Sequence, residues 1–400
     1  MKIIQIGTGG WGKNHARVLS EYGVLSAICD MDENRAKEFG EKYDVNYYQT
    51  LDDAMDNEEF DGAFVCTPTS THSDIATKLI ENKKHVFVEK PMTYLSEDGE
   101  SLVEKAKRNK VVLTCGYIER FNPAVARVKD FIRSKKFGDL IRLEFYREHR
   151  MPPHIKDVGI IYDTSVHDID TAMWLFDEAP ELVFAKSGKI NHEHEDFATI
   201  MLGFQNNKIA TISSNWITPT RVRNFNAVCT DARIFSDFIT QEIRIETENG
   251  SESPEAKKVE PLSLEIKNFL DSIEGKNELT VKPEQAVNVT KIAEAALLSS
   301  QKRSSNLSGY KMNKKMLDIL ACPICKHHPL EELDINVKDD DVVEGVLFCT
   351  ECSRFYPIID EIPIMLPDEL RKKEDDLEFL RRNSESLPEK IVKNGKPWHL

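Results

Sequence analysis

The sequence predicts an α/β protein with a doubly wound parallel sheet, a second α+β domain with an open, mostly antiparallel sheet, and a small cysteine-rich C-terminal unit. Three observations predict this class. Strands and helices alternate through the first 115 or so residues, strands follow strands after about residue 180, and two Cys-x-x-Cys pairs lie beyond residue 320. A chain of 400 residues is also too long for a single hydrophobic core.

The first region is predicted to contain parallel strands buried between helices, because its strands are nearly continuous apolar runs. The expected strands are Lys2–Gly7, Val24–Asp30, Gly62–Thr67, His85–Val88 and Val111–Gly116. The expected helices between them are Trp11–Tyr22, Asn34–Tyr43, Ser73–Asn82 and Ser96–Asn109. This order is typical of a doubly wound sheet of the Rossmann type.

The pattern then changes to strands joined by short turns, which indicates an antiparallel sheet. The expected strands are Leu140–Arg147, Leu182–Lys189, Phe197–Phe204, Lys208–Asn215, Arg221–Cys229, Ala232–Asp237 and Glu242–Glu246. The expected helices are Pro123–Ser134, Thr164–Phe176, Leu262–Glu274 and Pro283–Gln301. Gly250–Val259 is predicted to be a polar loop.

A linker and a separate unit are predicted to follow. Residues 304–311 are rich in Ser, Asn and Gly, and Met312 resembles the start of a once-separate protein. The predicted divisions are therefore a parallel-sheet domain at 1–120, an α+β domain at 121–303, a linker at 304–311, the cysteine-rich unit at 312–370 and a charged tail at 371–400. The last division is highly charged, and we expect a solvated helix in its early part and disorder at its end.

Charge and composition exclude several classes of protein. The net charge of −15 argues against a general binder of nucleic acids or anionic membranes. No apolar run approaches the roughly 20 residues of a membrane helix. The N-terminal segment is a strand that leads into a glycine turn rather than a signal peptide, so a cytoplasmic location is expected. Four isolated cysteines are expected to be small buried side chains, because disulfides are rare there: Cys29, Cys66, Cys115 and Cys229.

The turn after the first strand predicts dinucleotide binding. It follows the pattern Gly-x-Gly-x-x-Gly and consists of Gly7, Thr8, Gly9, Gly10, Trp11 and Gly12. The N-terminus of the next helix would present free amides to a pyrophosphate. Asp30 ends the second strand, where a carboxylate accepts from ribose hydroxyls, and its charge favours NAD over NADP. Arg35 is expected on a helix surface.

Two later loops are expected to border the same crevice. Thr67, Pro68 and His72 follow the third strand, where they either line the nicotinamide ribose or belong to a helix cap formed by Thr71 or Ser73. Glu89 and Lys90 follow the next strand, and a side chain at the carboxyl end of such a strand points into the ligand crevice. We therefore predict that all five border the cofactor.

Together these motifs resemble the Gfo/Idh/MocA family of NAD(P)-dependent sugar oxidoreductases. The resemblance runs from Met1 to about Ser305 and includes the pattern Asp163-x-x-x-His167. It implies a second domain whose open sheet faces the cofactor, and a dimer or tetramer formed through that domain. The segment Gly116–Pro123 further resembles the branch that acts on nucleotide sugars, such as UDP-N-acetylglucosamine 3-dehydrogenases.

The predicted catalytic residues are Lys90, Asp163 and His167. Asp163 and His167 are four residues apart and share one helical face, where a carboxylate can orient an imidazole. By resemblance, either His167 or Lys90 takes the hydroxyl proton; we favour His167 as the base and Lys90 as the polarising donor. Asp168 and Asp170 are alternatively helix-terminus charges, an interpretation preferred for Asp170.

Several polar residues are candidates for binding the substrate. Guanidinium groups match phosphate oxygens, which predicts diphosphate contacts from Arg120, Arg147, Arg150, Arg221 and Arg223. For Arg221 and Arg223, a solvated strand face is the alternative. The other candidates are Asn122, Tyr162 and Asn215. Trp216 offers a stacking ring or, at least as readily, a core side chain.

The cysteine pairs predict a closed metal site with four thiolates: Cys322, Cys325, Cys349 and Cys352. Structural zinc is favoured, iron is an alternative, and a redox dithiol is less favoured. His327 and His328 are expected to be loop residues. Residues 312–369 resemble the zinc-ribbon family that includes the activator subunit of tRNA and release-factor methyltransferases. That resemblance implies a protein partner, either a methyltransferase or another sugar-pathway enzyme.

Two classes of function follow from the sequence. The first is an NAD-dependent dehydrogenase that oxidises carbon 3 of UDP-N-acetylglucosamine, with another sugar or inositol as the alternative substrate. The second is a binding module, in which the ribbon docks a methyltransferase and the dehydrogenase half is a scaffold.

Overall fold

The computed structural model describes residues 1–152, 155, 157–255, 258–301, 320–338, 341–360 and 362–400. The chain forms two compact units, Met1–Lys302 and Arg303–Leu400. The predicted linker 304–311 and the predicted start of the last unit at Met312 lie outside the described residues. Among the residues described, none of the helices combines the length and apolar character required to cross a membrane.

The first unit opens with the predicted parallel sheet, in the strand order β3-β2-β1-β4-β5-β6. Its strands are β1 Ile3–Ile6, β2 Leu25–Cys29, β3 Asn46–Tyr48, β4 Gly62–Val65, β5 His85–Val88 and β6 Leu113–Cys115. Its helices are α1 Gly12–Glu21, α2 Glu33–Tyr43, α3 Leu51–Asn57, α4 His72–Glu81 and α5 Ser96–Asn109. The sequence prediction missed β3 and α3, although the Thr50 hydroxyl caps α3 by accepting from the Asp53 N–H.

A second sheet follows, with the strand order β14-β13-β12-β11-β7-β10-β9-β8. Its strands are β7 Leu140–Glu148, β8 Leu182–Gly188, β9 Phe197–Gly203, β10 Ile209–Asn215, β11 Val222–Cys229, β12 Arg233–Asp237, β13 Ile243–Thr247 and β14 Gly250–Glu252. Its helices are α6 Pro123–Arg133, α7 Val166–Phe176, α8 Pro261–Ile273 and α9 Pro283–Gln301. Among the described strands of this second sheet, β7 and β10 are the one pair that runs in parallel, so the sheet is mostly antiparallel and the predicted fold class is confirmed. The polar loop predicted at 250–259 is wrong at its start, where β14 pairs with β13.

Helix α8 is part of the second domain in sequence, yet it covers one face of the first sheet. Leu262, Ile266 and Phe269, spaced at helical intervals, pack with Phe64 and Phe87 of β4 and β5. The rings of Phe64 and Phe87 stack with their centroids 4.4 Å apart. This shared core fixes α8 against β4 and β5 of the first sheet.

The second unit is a four-stranded antiparallel sheet, composed of β15 Glu331–Lys338, β16 Asp341–Phe348, β17 Phe355–Ile359 and β18 Ile362–Pro363. Two helices follow, α10 Lys373–Arg382 and α11 Glu389–Val392. The predicted early helix is therefore present, but the disorder predicted for the end of the chain is wrong. Leu387 and Ile391 are buried there, because they pack with Phe348 and Phe355 of the sheet.

Candidate active site and metal centre

The glycine turn between β1 and α1 has the geometry that a dinucleotide requires. Gly7 has a φ of +82°, and a Cβ there would lie 2.5 Å from the Cys66 carbonyl oxygen. A Cβ on Gly12 would lie 2.1 Å from the Gly7 oxygen. A Cβ on Gly9 would meet nothing closer than Arg35 at 3.7 Å, so the backbone is open to a pyrophosphate. These residues therefore fit NAD. Exposed at the rim of the turn are Gly10 and Trp11.

Asp30 follows β2, and its carboxylate is engaged within the protein. It accepts from the N–H and the hydroxyl of Thr8, each at 2.8 Å, and from the Asp32 N–H at 3.0 Å. Arg35 lies on the surface of α2 as predicted, and its Nε and Nη2 donate to this carboxylate at 3.2 and 3.0 Å. Although burial raises the pKa of Asp30, the bonds from Arg35 and Thr8 outweigh it and lower the pKa. A ribose would therefore have to displace Arg35, whose side chain is 41% exposed.

The loop after β4 is tied to the loop after β5. His72 is buried, and its two ring nitrogens each lie 2.9 Å from a carbonyl oxygen, one of Thr67 and one of Pro91. His72 thus connects the two loops and has no ring nitrogen left for a cofactor, so its predicted role is wrong. Thr67 and Pro68 remain partly or fully exposed at the crevice. The alternative of a side-chain cap on α4 fails for Thr71, which makes none.

Lys90 and Asp163, predicted to act together, are in contact. Lys90 Nζ donates to the Asp163 backbone oxygen at 2.6 Å and to Oδ1 at 2.9 Å. Their side chains are 17% and 15% exposed, so the pair lies at the surface of the crevice. An ammonium has three N–H donors, which leaves one for a ligand. Burial raises the pKa of Asp163, but the charge and hydrogen bond of Lys90 outweigh this effect and the pKa is lowered.

Asp163 lies in a π-helical turn, Ile161–Ser165, that leads into α7. Such turns are rare and occur frequently at functional sites. The Thr164 hydroxyl donates to Asp163 Oδ2 at 3.0 Å, and Trp216 Nε1 donates to Thr164 Oγ1 at 3.2 Å. Trp216 is buried, so its ring is a core side chain and not a stacking surface. The pair of bonds orients the carboxylate that holds Lys90.

His167 lies on α7, one turn beyond Asp163. Burial lowers its pKa well below the usual value, and the charges of Lys90, Arg147 and Arg223 lower it further. The imidazole is therefore neutral near pH 7 and can accept a proton. Its Nδ1 is buried and has no hydrogen-bond partner among the described residues. The expected contact with Asp163 is not formed, because that carboxylate bonds Lys90 and Thr164 instead.

Two of the predicted phosphate ligands, Arg120 and Arg147, are instead structural. Arg120 Nε and Nη2 donate to the two Asp170 oxygens at 2.9 and 2.6 Å. Arg147 Nη2 donates to Asp168 at 2.8 Å, and Nη1 donates to Glu119 at 3.1 Å. All five side chains are buried. The predicted diphosphate role is therefore wrong for both arginines, and the two aspartates are buried counterions rather than helix-terminus charges.

Arg223 differs from both of these arginines. It lies opposite Arg147 in the β11–β7 pair, so both side chains leave the same face of the sheet. Arg223 has no ion pair among the described residues, and its Nε is buried without a partner there. Burial and the charges of Arg147 and Arg221 lower its pKa to about 10, so it stays a cation at pH 7. Arg221 precedes β11 and, like Arg150, is exposed.

Three further predicted substrate ligands have partners inside the protein. Tyr162 is buried and stacks on Tyr94 with centroids 5.3 Å apart and planes at 15°. Asn122 is buried and caps the first turn of α6. Asn215 Oδ1 accepts two backbone N–H groups in the turn after β10. The structure gives Tyr162 and Asn122 packing and capping roles, which argue against direct binding.

The carboxylate of Glu89 is buried and forms hydrogen bonds within the protein, and it does not face the crevice. It is 8% exposed, its Oε1 lies 2.7 Å from His15 Nε2, and its Oε2 accepts the Lys90 N–H at 2.9 Å. The predicted cofactor role of Glu89 is therefore not supported, since both oxygens have internal partners. Sequence reasoning missed His15. The signal was a histidine within a buried helical stripe that consists of Gly12, His15, Ala16 and Leu19.

The predicted metal ligands converge in the second unit, with their sulfur atoms within 4.8 Å of one another. Cys322 Sγ lies 3.6 Å from Cys352 Sγ, and Cys325 Sγ lies 3.5 Å from Cys349 Sγ. Four thiolates at tetrahedral positions about 2.3 Å from zinc would be about 3.8 Å apart, so the cysteines fit the metal. The Tyr356 hydroxyl lies 3.1 Å from Cys322 Sγ and supports that ligand from outside.

His327 lies in the sequence between the two Cys-x-x-Cys pairs and is not one of the residues that form the cysteine cluster. Its Nε2 is 3.1 Å from the Thr350 hydroxyl, so it connects the two cysteine-bearing loops. This contact agrees with the prediction that His327 is a loop residue.

Family patterns match both units. Residues 1–117 match the oxidoreductase family with an NAD-binding Rossmann fold, Gfo/Idh/MocA, and residues 125–235 match a C-terminal domain of the same family. The chain belongs to the Gfo/Idh/MocA family. Residues 313–361, which include the four cysteines, match the Trm112p-like proteins. Both resemblances predicted from the motifs are confirmed, and the first unit is an NAD-dependent oxidoreductase of the CH–OH class.

Relatives of this oxidoreductase include enzymes that are named for a nucleotide sugar and enzymes that are named for inositol. UDP-N-acetylglucosamine 3-dehydrogenase of Acidithiobacillus ferrooxidans is 26% identical over 283 residues, 68% of this chain and 88% of that protein. The NAD(+)-dependent scyllo-inositol 2-dehydrogenase of Bacillus subtilis is 35% identical over 182 residues, 42% and 52% of the two chains. The solved structure of the Acidithiobacillus enzyme has a TM-score of 0.70 and 25% identity, and covers 75% of this chain and 97% of that one.

Proposed function

We propose that this oxidoreductase oxidises a secondary hydroxyl of a nucleotide sugar, most specifically carbon 3 of UDP-N-acetylglucosamine, to a keto group. Lys90, Asp163 and His167 beside a glycine turn that fits NAD support the oxidation step. The observation that carries the nucleotide part is Arg223, a cation without a counterion among the described residues, near His167. The Acidithiobacillus relative supports the same substrate.

The proposed chemistry assigns each side chain one task. Bound NAD supplies the hydride acceptor. Lys90 donates its remaining N–H to the substrate oxygen and stabilises the negative charge that develops there. His167, neutral near pH 7, takes the hydroxyl proton as the general base. Asp163 holds the ammonium at the crevice, and Thr164 holds Asp163.

An anionic substrate would satisfy the unpaired arginine. A largely desolvated guanidinium without a counterion is unfavourable, and a diphosphate would give Arg223 that counterion together with bidentate hydrogen bonds. Arg221 precedes Arg223 by two residues and would add a second cation at the exposed side. A neutral polyol such as inositol would leave Arg223 unpaired.

A substrate panel tests this proposal. The protein is incubated with NAD and with UDP-N-acetylglucosamine, UDP-glucose, scyllo-inositol, myo-inositol or glucose, and NADH formation is followed by absorbance. We expect turnover with UDP-N-acetylglucosamine, and borodeuteride reduction of the product should place deuterium at carbon 3. Turnover with inositol or glucose alone would contradict the nucleotide-sugar substrate and leave the family assignment intact.

Inositol oxidation is the second candidate within the same enzyme class. It is favoured by the 35% identity to the scyllo-inositol enzyme and by a 29% identity over 228 residues to a Thermotoga maritima myo-inositol 2-dehydrogenase. The two substrates respond differently to Arg223→Gln. The KM for a UDP-sugar should rise, whereas the KM for a neutral inositol should not.

We propose zinc as the metal of the second unit, held by the cysteine cluster described above. Such a site supplies on the order of 10 kcal/mol of folding free energy in small domains. Metal analysis should find one zinc for each chain, and Cys349→Ser should lose it while NADH formation continues. Iron in place of zinc would contradict the proposal.

A protein partner for the second unit is a further proposal, supported by the Trm112p-like match. The partner would be a methyltransferase or another sugar-pathway enzyme, and the extreme case is a docking module with the oxidoreductase as a scaffold. A pull-down with the full chain and with a chain that ends before residue 312 tests it. Capture of the same proteins by both chains would remove the idea.

A homo-oligomer in the cytoplasm completes the proposal. The outer face of the second sheet exposes apolar side chains on neighbouring strands, a pattern typical of a protein interface. These are Leu182, Phe184, Phe197 and Ile209. Sedimentation velocity should show a dimer or tetramer, and Phe184→Asp should weaken it; a monomer at all concentrations would contradict it.

A further inference from the structure

A buried histidine lies between the glycine turn and the catalytic lysine. His15 is on α1, the helix that begins at Gly12 of the turn, and it is fully buried. Its ring packs beside Phe64 and Phe87, with centroids 5.5 and 5.4 Å away. Its Nε2 lies 2.7 Å from Glu89 Oε1. Because a carboxylate only accepts hydrogen bonds, Nε2 is the donor.

Glu89 connects His15 to the backbone of Lys90. Its second oxygen, Oε2, accepts the Lys90 N–H at 2.9 Å. A Cβ on Gly116 would lie 3.0 Å from the carboxylate carbon, so glycine at that position leaves room for the carboxylate. The carboxylate is thus held by His15 on one oxygen and holds Lys90 with the other. Lys90 is thereby fixed twice, at its amide by Glu89 and at its ammonium by Asp163.

We propose that His15 is a positioning residue for hydride transfer, acting through Glu89 on the backbone of Lys90. The inference rests on the proposed function in one respect, that Lys90 contacts the substrate oxygen. Since α1 begins at the glycine turn, the cofactor site and the catalytic lysine share one hydrogen-bonded connection. A displacement of about 1 Å can cost on the order of 100-fold in rate, so loss of this connection should reduce turnover.

Three variants separate the hydrogen bond from packing. His15→Leu removes the donor and keeps an apolar side chain between the two phenylalanines. His15→Gln restores an N–H at the position of the histidine Nε2, because both side chains reach it through the same number of bonds. His85→Leu is the matched control, since His85 begins β5 in the same sheet and its Nδ1 accepts the Val112 N–H.

We expect His15→Leu to lower kcat at least about tenfold, with the Kd for NAD within about threefold of wild type. The primary deuterium isotope effect on kcat should rise as hydride transfer becomes slower. His15→Gln should recover most of kcat, and His85→Leu should keep it. An unchanged kcat in His15→Leu, an equal loss in His15→Gln, or a loss explained by NAD binding alone would overturn the proposal.

A structural measurement decides the question without a substrate. Crystal structures of the variants should show the contact between Lys90 Nζ and Asp163 Oδ1 lost in His15→Leu and kept in His15→Gln. The same contact in both variants would overturn the proposal. If no alcohol of the panel is oxidised, the proposed function fails while this comparison still decides the role of His15.

One further variant covers the case in which His15→Leu does not fold. Glu89→Gln keeps the size of the side chain but replaces one oxygen with an NH2 group. It keeps both contacts only if the His15 proton moves to Nδ1, a buried nitrogen that has no partner among the described residues. We expect a reduced kcat with NAD binding retained, checked after thermal unfolding has shown a folded protein. Wild-type kcat in Glu89→Gln would overturn the proposal.

Discussion

The crevice and the interior beneath it contain the same kinds of cationic side chain. In the interior these cations are paired with carboxylates, whereas in the crevice they keep donors without a protein partner. In the interior, Arg120 and Arg147 are held by carboxylates that are themselves buried. In the crevice, Lys90 keeps one unused N–H, and Arg223 forms no ion pair among the described residues, although the charges of Glu119 and Asp168 act on it from a distance. Residue type therefore does not identify a ligand contact here. The two regions differ in the number of donors that are left without a protein partner, and the proposed ligand contacts rest on that difference.

The largest effect is expected in the interior, from Arg120→Met. The change leaves the Asp170 carboxylate buried without its cation, and breaking a buried pair in this way costs about 3–5 kcal/mol. Urea unfolding followed by tryptophan fluorescence measures the loss. Adding Asp170→Leu to the same chain should restore much of the stability. A loss below about 1 kcal/mol in the single variant would mean that the interior pair is not structural.

The next largest effect is expected from variants in the crevice, and it concerns the turnover rate and not the stability of the fold. Lys90→Ala should lower kcat at least about 100-fold, the usual scale for a positioned acid or base, and His167→Ala should do the same. A 100-fold loss of rate corresponds to an increase of about 2.7 kcal/mol in the activation free energy. The Kd for NAD and the unfolding midpoint should change little, because the glycine turn and the core remain intact. Near-normal turnover in either variant would show that the catalytic assignment is wrong.

A smaller effect is expected from Arg223→Gln. Loss of one charge-assisted contact to a diphosphate should raise the KM for a UDP-sugar by about tenfold and leave kcat within about threefold. The unfolding free energy should stay equal or increase, because a poorly solvated cation is removed. Arg244→Gln, an exposed residue of β13 paired with Glu246, serves as the control. A destabilised Arg223→Gln with normal KM would make Arg223 an interior residue like Arg147.

Local motifs predicted the crevice, whereas pairing across the chain determined the interior. The backbone geometry at Gly7 and Gly12 is set by a few consecutive residues, so the sequence indicated it correctly. The spacing of Asp163 and His167 is also local, but the contact expected from it is not formed. Arg120 meets a carboxylate 50 residues away, and Arg147 meets one 21 residues away. No local pattern distinguishes such arginines from phosphate ligands.

The same distinction explains the errors in the fold. The short helix α3 had a local signal, the Thr50 cap, that was overlooked. The end of the chain lacked such a signal, because its charged composition predicts disorder. A few apolar side chains that pack with β16 and β17, such as Leu387 and Ile391, order it instead. Such contacts form only with the folded sheet, so amino-acid composition does not predict them.

A pH-dependent effect tests the interior once more, at Glu265 on α8. Its carboxyl group is buried, and neither oxygen has a hydrogen-bond partner among the described residues. Burial raises its pKa well above the usual 4.5, and the charges of Glu89, Glu119 and Asp170 raise it further. The folded protein therefore keeps a proton that the unfolded chain loses above pH 4.5.

Stability should then fall as pH rises from 4.5 toward the folded pKa of Glu265, by at most about 1.4 kcal/mol for each pH unit. Glu265→Gln has the same size and no titrating group, so it should lose this slope and gain over wild type between pH 6 and pH 8. Urea unfolding at each pH measures both chains, with the exposed Glu274→Gln as the control. Parallel slopes for wild type and Glu265→Gln would show that this carboxyl group is not held neutral inside the fold.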